Sequence, residues 1–248
     1  MKLSLPSLFA TIASSPTTAS ALPSHAHQNK PAAFYLAGDS TTAAQSAGGG
    51  GTLALPPSFL LRKHPNLKPG WGVGFLKTLV NGAIGTDLGY NGATTESFVA
   101  GGAWANVIDA VNRAKVDYTP YVTIQFGHND QKPAANISIE EFSANLKELA
   151  TEALAAGGMP ILVTSISRRN FNSSSLVIED LAPQRAATIA VATSMNVSYI
   201  DLNEASTKYL DSIGSADAAT YNRIPTDFTH LNPAGSVLFG AMNGGGGD

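Results

Sequence analysis

The sequence predicts an α/β protein in which a parallel sheet lies between two layers of helices. Apolar stretches with the length of buried strands alternate with helix-forming stretches about five times along the chain. Such alternation calls for parallel strands, because each helix carries the chain back across one face of the sheet. The 248 residues suit one domain with a sizeable core. We therefore expect a three-layer α/β/α sandwich with a parallel five-stranded sheet.

Five stretches have the composition of buried strands, and each is bounded by glycine, proline or polar residues. They are residues 33–37, 86–92, 121–126, 160–165 and 197–202. Helices are predicted from the glycine-rich stretch 70–75 through residue 79, over 103–115, 139–156, 182–195 and 204–213, and from residue 233 onward. Ser138 and Glu141 form a capping-box pattern before the third of these helices. Pro233 suits the first position of the last helix.

The first predicted strand ends at Gly38, and Asp39 and Ser40 follow it at once. Gly38 permits a sharp turn, and ligands of open α/β sheets bind beyond the carboxyl ends of the strands. The Ser40 hydroxyl is therefore a candidate nucleophile, although a serine needs a base and an oxyanion site to react. The alternative interpretation is that Asp39 and Ser40 cap the next helix.

Three further polar stretches that contain glycine or histidine are predicted to reach the same edge of the sheet. They are Asn91-Gly92, Gly127-His128-Asn129-Asp130 and Asp227-Phe228-Thr229-His230. His230 would accept the proton of Ser40, while Asp227 would fix the imidazole tautomer and raise the pKa of His230. The backbone N–H groups of Ser40 and Gly92 and the side-chain amide of Asn129 would face the oxyanion.

Each of these residues also has a purely structural interpretation. Gly92 alone is consistent with a turn, and Asn129 and Asp130 with a capped loop. Asp227 is consistent with a helix cap that leaves His230 as a surface imidazole. The occurrence of all four stretches in this order favours the catalytic interpretation.

The four stretches resemble the blocks of the SGNH (GDSL-type) hydrolases, which carry Ser, Gly, Asn and His. Within that superfamily the chain is most similar to the rhamnogalacturonan acetylesterases. The closer similarity is carried by residues 38–43, Gly70-Trp71-Gly72 and residues 126–130. The resemblance implies a flavodoxin-like fold, a Ser40–His230–Asp227 triad, and hydrolysis of acetyl esters on pectin with neither a metal ion nor another cofactor.

The chain departs from the family pattern at two places. Residues 52–69 are inserted before Gly70-Trp71-Gly72, and the chain ends in a glycine run at 244–248 where the family's last helix usually continues. The insertion is either a lid over the site or the product of an error in gene prediction. We expect a hydrolase domain over residues 33–248 that contains this insertion.

The N-terminus has the pattern of a secretory signal over residues 1–21, with Lys2 before an apolar run and an A-x-A cleavage pattern. Residues 22–32 are expected to form a mobile lead-in. Three sequons, at Asn136, Asn172 and Asn196, agree with export as a glycoprotein. A disordered Ser/Thr-rich tail is the alternative. The chain has no cysteine, which excludes disulfides and counts mildly against export.

The net charge and hydropathy of the chain limit the kinds of molecule that it can bind. The net charge of −3 argues against nucleic acid and acidic membranes, and no apolar run is long enough to span a bilayer. We expect a monomer that acts on an acetylated polysaccharide. Rhamnogalacturonan is anionic, so Arg168, Arg169 and Lys132 are candidate substrate-binding residues, with solvated loop charges as the alternative.

Three rival functions remain open at the level of sequence. A lipase-like or broad small-ester esterase of the same superfamily would be distinguished by comparing its rates on octanoyl and acetyl esters. A catalytically impaired polysaccharide-binding relative would turn over no ester. A zinc hydrolase would use histidine and aspartate ligands from 127–130 and 227–230, although no H-E-x-x-H pair is present.

Overall fold

A mixed sheet forms the centre of the computed structural model, which describes residues 30–45, 53–54 and 68–243. The strands are β1 (Ala32–Gly38), β2 (Ala44–Gln45), β3 (Leu53–Ala54), β4 (Lys68–Pro69), β5 (Ile84–Asp87), β6 (Thr119–Gln125), β7 (Met159–Val163) and β8 (Ser198–Ile200). Their order in the main sheet is β3-β5-β1-β6-β7-β8. Strands β5, β1, β6, β7 and β8 are parallel, as the five-stranded prediction required. Strand β3 pairs antiparallel with β5 at the edge.

Helices cover both faces of this sheet. They are α1 (Trp71–Leu76), α2 (Thr95–Ala100), α3 (Ala103–Ala114), α4 (Ile139–Ala155), α5 (Ala182–Met195), α6 (Leu202–Ala219) and α7 (Pro233–Met242). One hydrophobic core contains buried side chains of helices α2, α3, α4 and α5. The other core contains buried side chains of helices α1, α6 and α7. The alternation along β1 divides its side chains between the two cores, with Tyr35 in the first and Leu36 in the second. The three-layer α/β/α prediction is therefore confirmed.

Local signals explain several boundaries. Ser138 and Glu141 form the predicted capping box at the start of α4. Asn232 caps α7 by accepting the N–H of Gly235 at 2.9 Å. The predicted strand 197–202 ends earlier, at Ile200, because Asp201 caps α6 through the N–H of Glu204 at 3.2 Å.

The two described parts of the predicted insertion, β3 and β4, each pair with a strand outside it. Strand β3 pairs with β5, and β4 pairs with β2 in a separate two-stranded sheet. Residues 55–67 lie outside the described residues, as do the predicted signal at 1–21, most of the lead-in at 22–32 and the terminal 244–248. In the described part of the chain, no helix is long and apolar enough to cross a membrane.

Candidate active site

Ser40, His230 and Asp227 meet beyond the carboxyl end of β1. Ser40 Oγ lies 3.0 Å from His230 Nε2. His230 Nδ1 lies 2.9 Å and 3.1 Å from the two carboxylate oxygens of Asp227. A carboxylate only accepts hydrogen bonds, so Nδ1 carries a proton and donates it to Asp227. In the neutral imidazole this leaves Nε2 as an acceptor for the Ser40 hydroxyl.

The loop that carries Asp227 is shaped by bonds to its own backbone and to Arg223. Asp227 Oδ1 accepts the N–H groups of Thr229 at 3.2 Å and His230 at 3.0 Å. Asp227 Oδ2 lies 2.8 Å from Arg223 Nη2. Burial alone would raise the pKa of Asp227, but these backbone donors and the His230 imidazole outweigh it and hold the pKa below its usual range. Asp227 is therefore ionised at neutral pH.

The pKa of His230 lies below its usual value, contrary to the sequence expectation. Burial disfavours the imidazolium and is the largest influence. Asp227 raises the pKa as expected, but the nearby Arg223 guanidinium lowers it again. The imidazole consequently stays neutral, and able to act as a base, into mildly acidic solution.

Arg169 is buried against the backbone of this loop. It is 2% exposed, and its guanidinium donates to the carbonyl of His230 at 2.7 Å and to Asn222 Oδ1 at 2.5 Å. Burial lowers its pKa to about 10. Because Arg169 is buried and bonded to the loop, the prediction that it binds substrate does not fit its position.

Two of the three predicted oxyanion donors, Gly92 and Asn129, lie on neighbouring turns. The Asn129 amide donates one N–H to the carbonyl of Ala93 at 2.9 Å and carries a second. Gly92 has a φ of +76°, and no described atom comes within 4 Å of the point where a Cβ would lie. Glycine suits this turn because it adopts the left-handed conformation without strain. The backbone at Gly92 is thus open to an approaching ester.

The two remaining predicted cations border the same region. Lys132 Nζ lies 2.6 Å from Asn129 Oδ1. Arg168 donates to Thr229 Oγ1 at 3.2 Å and pairs with Asp180 at 2.5 Å, and its side chain is 17% exposed. The charge of Arg168 is therefore already partly compensated by Asp180.

A buried network below Ser40 was not anticipated from the sequence. Gln125 Oε1 lies within 3.0 Å of three donors, the hydroxyls of Thr41 and Thr42 and the indole N–H of Trp71. Gly70 packs directly against the same turn, since a Cβ there would lie 2.3 Å from the Thr41 carbonyl oxygen. The sequence signal that could have indicated this support is the Gly70-Trp71-Gly72 motif, because its first glycine allows close packing against the turn that follows Gly38.

Two buried carboxylates, Asp39 and Asp130, stabilise the turns that carry Ser40 and Asn129. Asp130 accepts the N–H and hydroxyl of Thr95 at 2.8 Å and 2.7 Å, which joins the Asn129 turn to α2. Asp39 accepts the Thr41 N–H at 2.8 Å, and its second oxygen lies 3.6 Å from His128 Nδ1. Among the residues that the structure describes, no group of three or more potential ligands is placed to hold a metal ion.

Comparison with known proteins decides the family. The profile described as the GDSL-like lipase/acylhydrolase family matches residues 36–238. The chain belongs to this family of carboxylic ester hydrolases. The rhamnogalacturonan acetylesterase RhgT of Bacillus subtilis (strain 168) is 32% identical over 173 residues, which cover 70% of this chain and 66% of RhgT.

Solved structures show the same fold. A crystal structure of a Bacillus subtilis protein superposes with a TM-score of 0.70 at 22% identity, covering 86% of this chain and 55% of that one. The acetylxylan esterase Axe2 of Geobacillus stearothermophilus gives a TM-score of 0.60 at 18% identity, covering 87% of this chain and 93% of Axe2. The chain thus spans less than two thirds of RhgT and about half of the Bacillus structure.

Proposed function

We propose that the protein is a secreted serine esterase that removes acetyl groups from rhamnogalacturonan. The observation that carries the proposal is the pair of hydrogen bonds that connects Ser40 Oγ to His230 and His230 to Asp227. Three Axe2 structures are described as catalytic mutants in which alanine replaces a serine, an aspartate or a histidine. That aspartate and histidine are three positions apart, as Asp227 and His230 are.

In the proposed reaction Ser40 Oγ attacks the carbonyl carbon of the acetyl group and gives its proton to His230 Nε2. The resulting oxyanion accepts hydrogen bonds from the N–H groups of Ser40, Gly92 and Asn129. When the C–O bond of the ester breaks, His230 gives the proton to the departing sugar oxygen, which leaves as a hydroxyl. Water then attacks the acetyl-enzyme with His230 as base, which releases acetate and restores Ser40.

A polysaccharide substrate is supported by two exposed aromatic residues next to the site. Tyr90 is 50% exposed, and its N–H donates to the carbonyl of Gly38 at 2.9 Å. Phe228 is 41% exposed, and its carbonyl accepts the N–H of Arg169 at 2.9 Å. Aromatic faces next to the nucleophile offer apolar surfaces for sugar rings.

These aromatic residues provide a test of the polymer as substrate. Tyr90→Ala and Phe228→Ala should raise KM for an acetylated polysaccharide and leave KM for 4-nitrophenyl acetate unchanged. Tyr199→Ala is a matched control, because Tyr199 is 48% exposed on the distant strand β8. Equal effects on both substrates would count against a sugar-binding role.

The pectic substrate is supported by the similarity to RhgT and by the position of Arg168 near Thr229. Arginine can bind the carboxylate of galacturonate through two hydrogen bonds. Acetate release from acetylated rhamnogalacturonan should therefore exceed release from acetylated xylan, and Arg168→Ala should reduce the difference. Equal release from both polymers would leave a general acetylesterase. An octanoyl ester measured beside an acetyl ester would reveal a lipase.

Secretion is supported by the exposure of the three sequon asparagines, Asn136, Asn172 and Asn196. Expression of the whole chain in a eukaryotic host should yield a glycosylated protein in the medium. A glycosidase should then increase its electrophoretic mobility. Retention of the chain in the cell without glycan would contradict this part of the proposal.

A further inference from the structure

Lys132 lies against the oxygen of the Asn129 amide. Besides the 2.6 Å contact from Nζ to Oδ1, the backbone N–H of Lys132 donates to the backbone carbonyl of Asn129 at 3.1 Å. A single 3-10 turn, Pro133–Ala135, follows directly, and Lys132 occupies its N-cap position. The local backbone thus places Lys132 next to Asn129, and the contact from Nζ to Oδ1 forms without a substrate.

The contacts of the Asn129 side chain leave one orientation for its amide. Oδ1 accepts the Lys132 ammonium, and one N–H of Nδ2 donates to the carbonyl of Ala93. Exchanging the oxygen and nitrogen would set NH₂ against the ammonium and a carbonyl oxygen against another. The direction of the second N–H is therefore fixed, and this N–H is the one assigned to the oxyanion.

We infer that Lys132 is a positioning residue that strengthens Asn129 as an oxyanion donor. This inference rests on the proposed function. A hydrogen bond from an ammonium is charge-assisted, and it draws electron density from the amide nitrogen toward the oxygen. The remaining N–H becomes a better donor. The gain is largest when negative charge develops on the ester oxygen, so it appears in kcat more than in KM.

This role differs from the substrate-binding role that the sequence suggested for Lys132. A cation that binds galacturonate would lower KM for an anionic polymer and would not affect a small neutral ester. A cation that acts through Asn129 alters kcat for both substrates. A small neutral ester such as 4-nitrophenyl acetate therefore separates the two roles.

The first experiment compares Lys132→Met and Lys132→Arg on 4-nitrophenyl acetate. Lys132→Met keeps the length of the side chain and removes its charge, and we expect kcat to fall about 10-fold with KM unchanged. Lys132→Arg should retain most of the activity. Lys147→Met, at an exposed position of α4, is the matched control and should behave as wild type. Thermal unfolding checks that each variant is folded.

The second experiment repeats Lys132→Met in the Asn129→Ala background. If Lys132 acts through the amide, its removal has no further effect once the amide is absent. A further 10-fold loss in that background would show that Lys132 acts on its own and would overturn the inference. The inference is also overturned if Lys132→Met keeps wild-type kcat while Asn129→Ala is impaired, or if only KM for acetylated rhamnogalacturonan rises. Unaltered turnover in Ser40→Ala would overturn the proposed function itself.

Discussion

The turns that carry Ser40 and Asn129 are buried, with Gln125 bonded beside the first and Asp130 within the second. The loop from Arg223 to His230 is partly exposed and is held by the guanidinium groups of Arg168, Arg169 and Arg223. Ser40 and Asn129 are 8% and 6% exposed, while the His230 side chain is 26% exposed. In the proposed mechanism, the buried turns supply the nucleophile and the oxyanion donors, and the partly exposed loop supplies the acid and base.

This difference separates two requirements of the proposed chemistry. Oxyanion donors must point at the developing charge before the reaction begins, which favours a rigid, buried arrangement. The base must exchange protons with the substrate and water, so it needs some exposure and a suitable pKa. Changes in the buried turns should therefore alter maximal rate or stability, and changes around Arg223 should alter the response to pH.

The largest effect is expected for Ser40→Ala. Without the nucleophile, hydrolysis of 4-nitrophenyl acetate should fall by roughly 10⁴- to 10⁶-fold. The substitution removes one hydroxyl that bonds to the partly exposed His230, so the melting temperature should change little. Near-native turnover in this variant would exclude the serine mechanism.

Asn129→Ala should have the next largest effect on rate. Loss of one oxyanion donor typically lowers kcat by about 10²- to 10³-fold. KM should change little, because the ground-state carbonyl gains less from the amide than the oxyanion does. A variant changed mainly in KM would move Asn129 from catalysis to substrate binding.

Gln125→Leu tests the buried network directly. The substitution removes the acceptor of the Trp71 indole and the Thr42 hydroxyl, while the Thr41 hydroxyl keeps Asp39 Oδ1 as an acceptor at 2.8 Å. Unsatisfied buried donors cost about 1–3 kcal/mol each, so we expect the free energy of unfolding to fall by about 2–4 kcal/mol. Arg223→Met, which removes a partly exposed ion pair, should cost less than about 1 kcal/mol. Similar losses in urea unfolding would contradict the contrast between the two regions.

Elements that depend on local sequence were predicted closely. The helix expected at 182–195 is α5 (Ala182–Met195), and the capping box of α4 lies where it was expected. Helix α2 was not predicted. Its N3 residue is Ser97 in place of the usual Glu or Gln, and its first turn is held from outside by Asp130. A helix of six residues depends on such tertiary contacts more than on propensity.

Prediction of the candidate site from sequence was limited in the same way. The order of the four blocks led to the residues that meet at the carboxyl end of β1, because the topology of a parallel sheet requires that edge to be shared. The position of Arg169 could not be predicted, since its burial depends on Asn222 and the His230 carbonyl, more than 50 positions away. The effect of Arg223 on His230 likewise depends on distances that only the folded loop defines.

The smallest effect, and the sharpest test of the exposed half, is expected for Arg223→Met. The groups that face the His230 imidazole are Asp227, Arg223 and Ser40, with Asp39 acting at longer range and Arg169 bound to the backbone carbonyl. Arg223 disfavours the imidazolium, so its removal should raise the pKa of His230.

Because His230 must be neutral to act as a base, the acid limb of kcat/KM should move toward higher pH in Arg223→Met. The variant should match wild type on the neutral plateau and lose activity first as the pH falls. Profiles on 4-nitrophenyl acetate between pH 4 and 8 would measure this, with Arg113→Met on the exposed surface of α3 as the matched control. An unchanged acid limb together with a lower plateau would make Arg223 a support for the loop with no influence on the protonation of His230. The contrast between a buried half that sets rate and an exposed half that sets pH response would then fail.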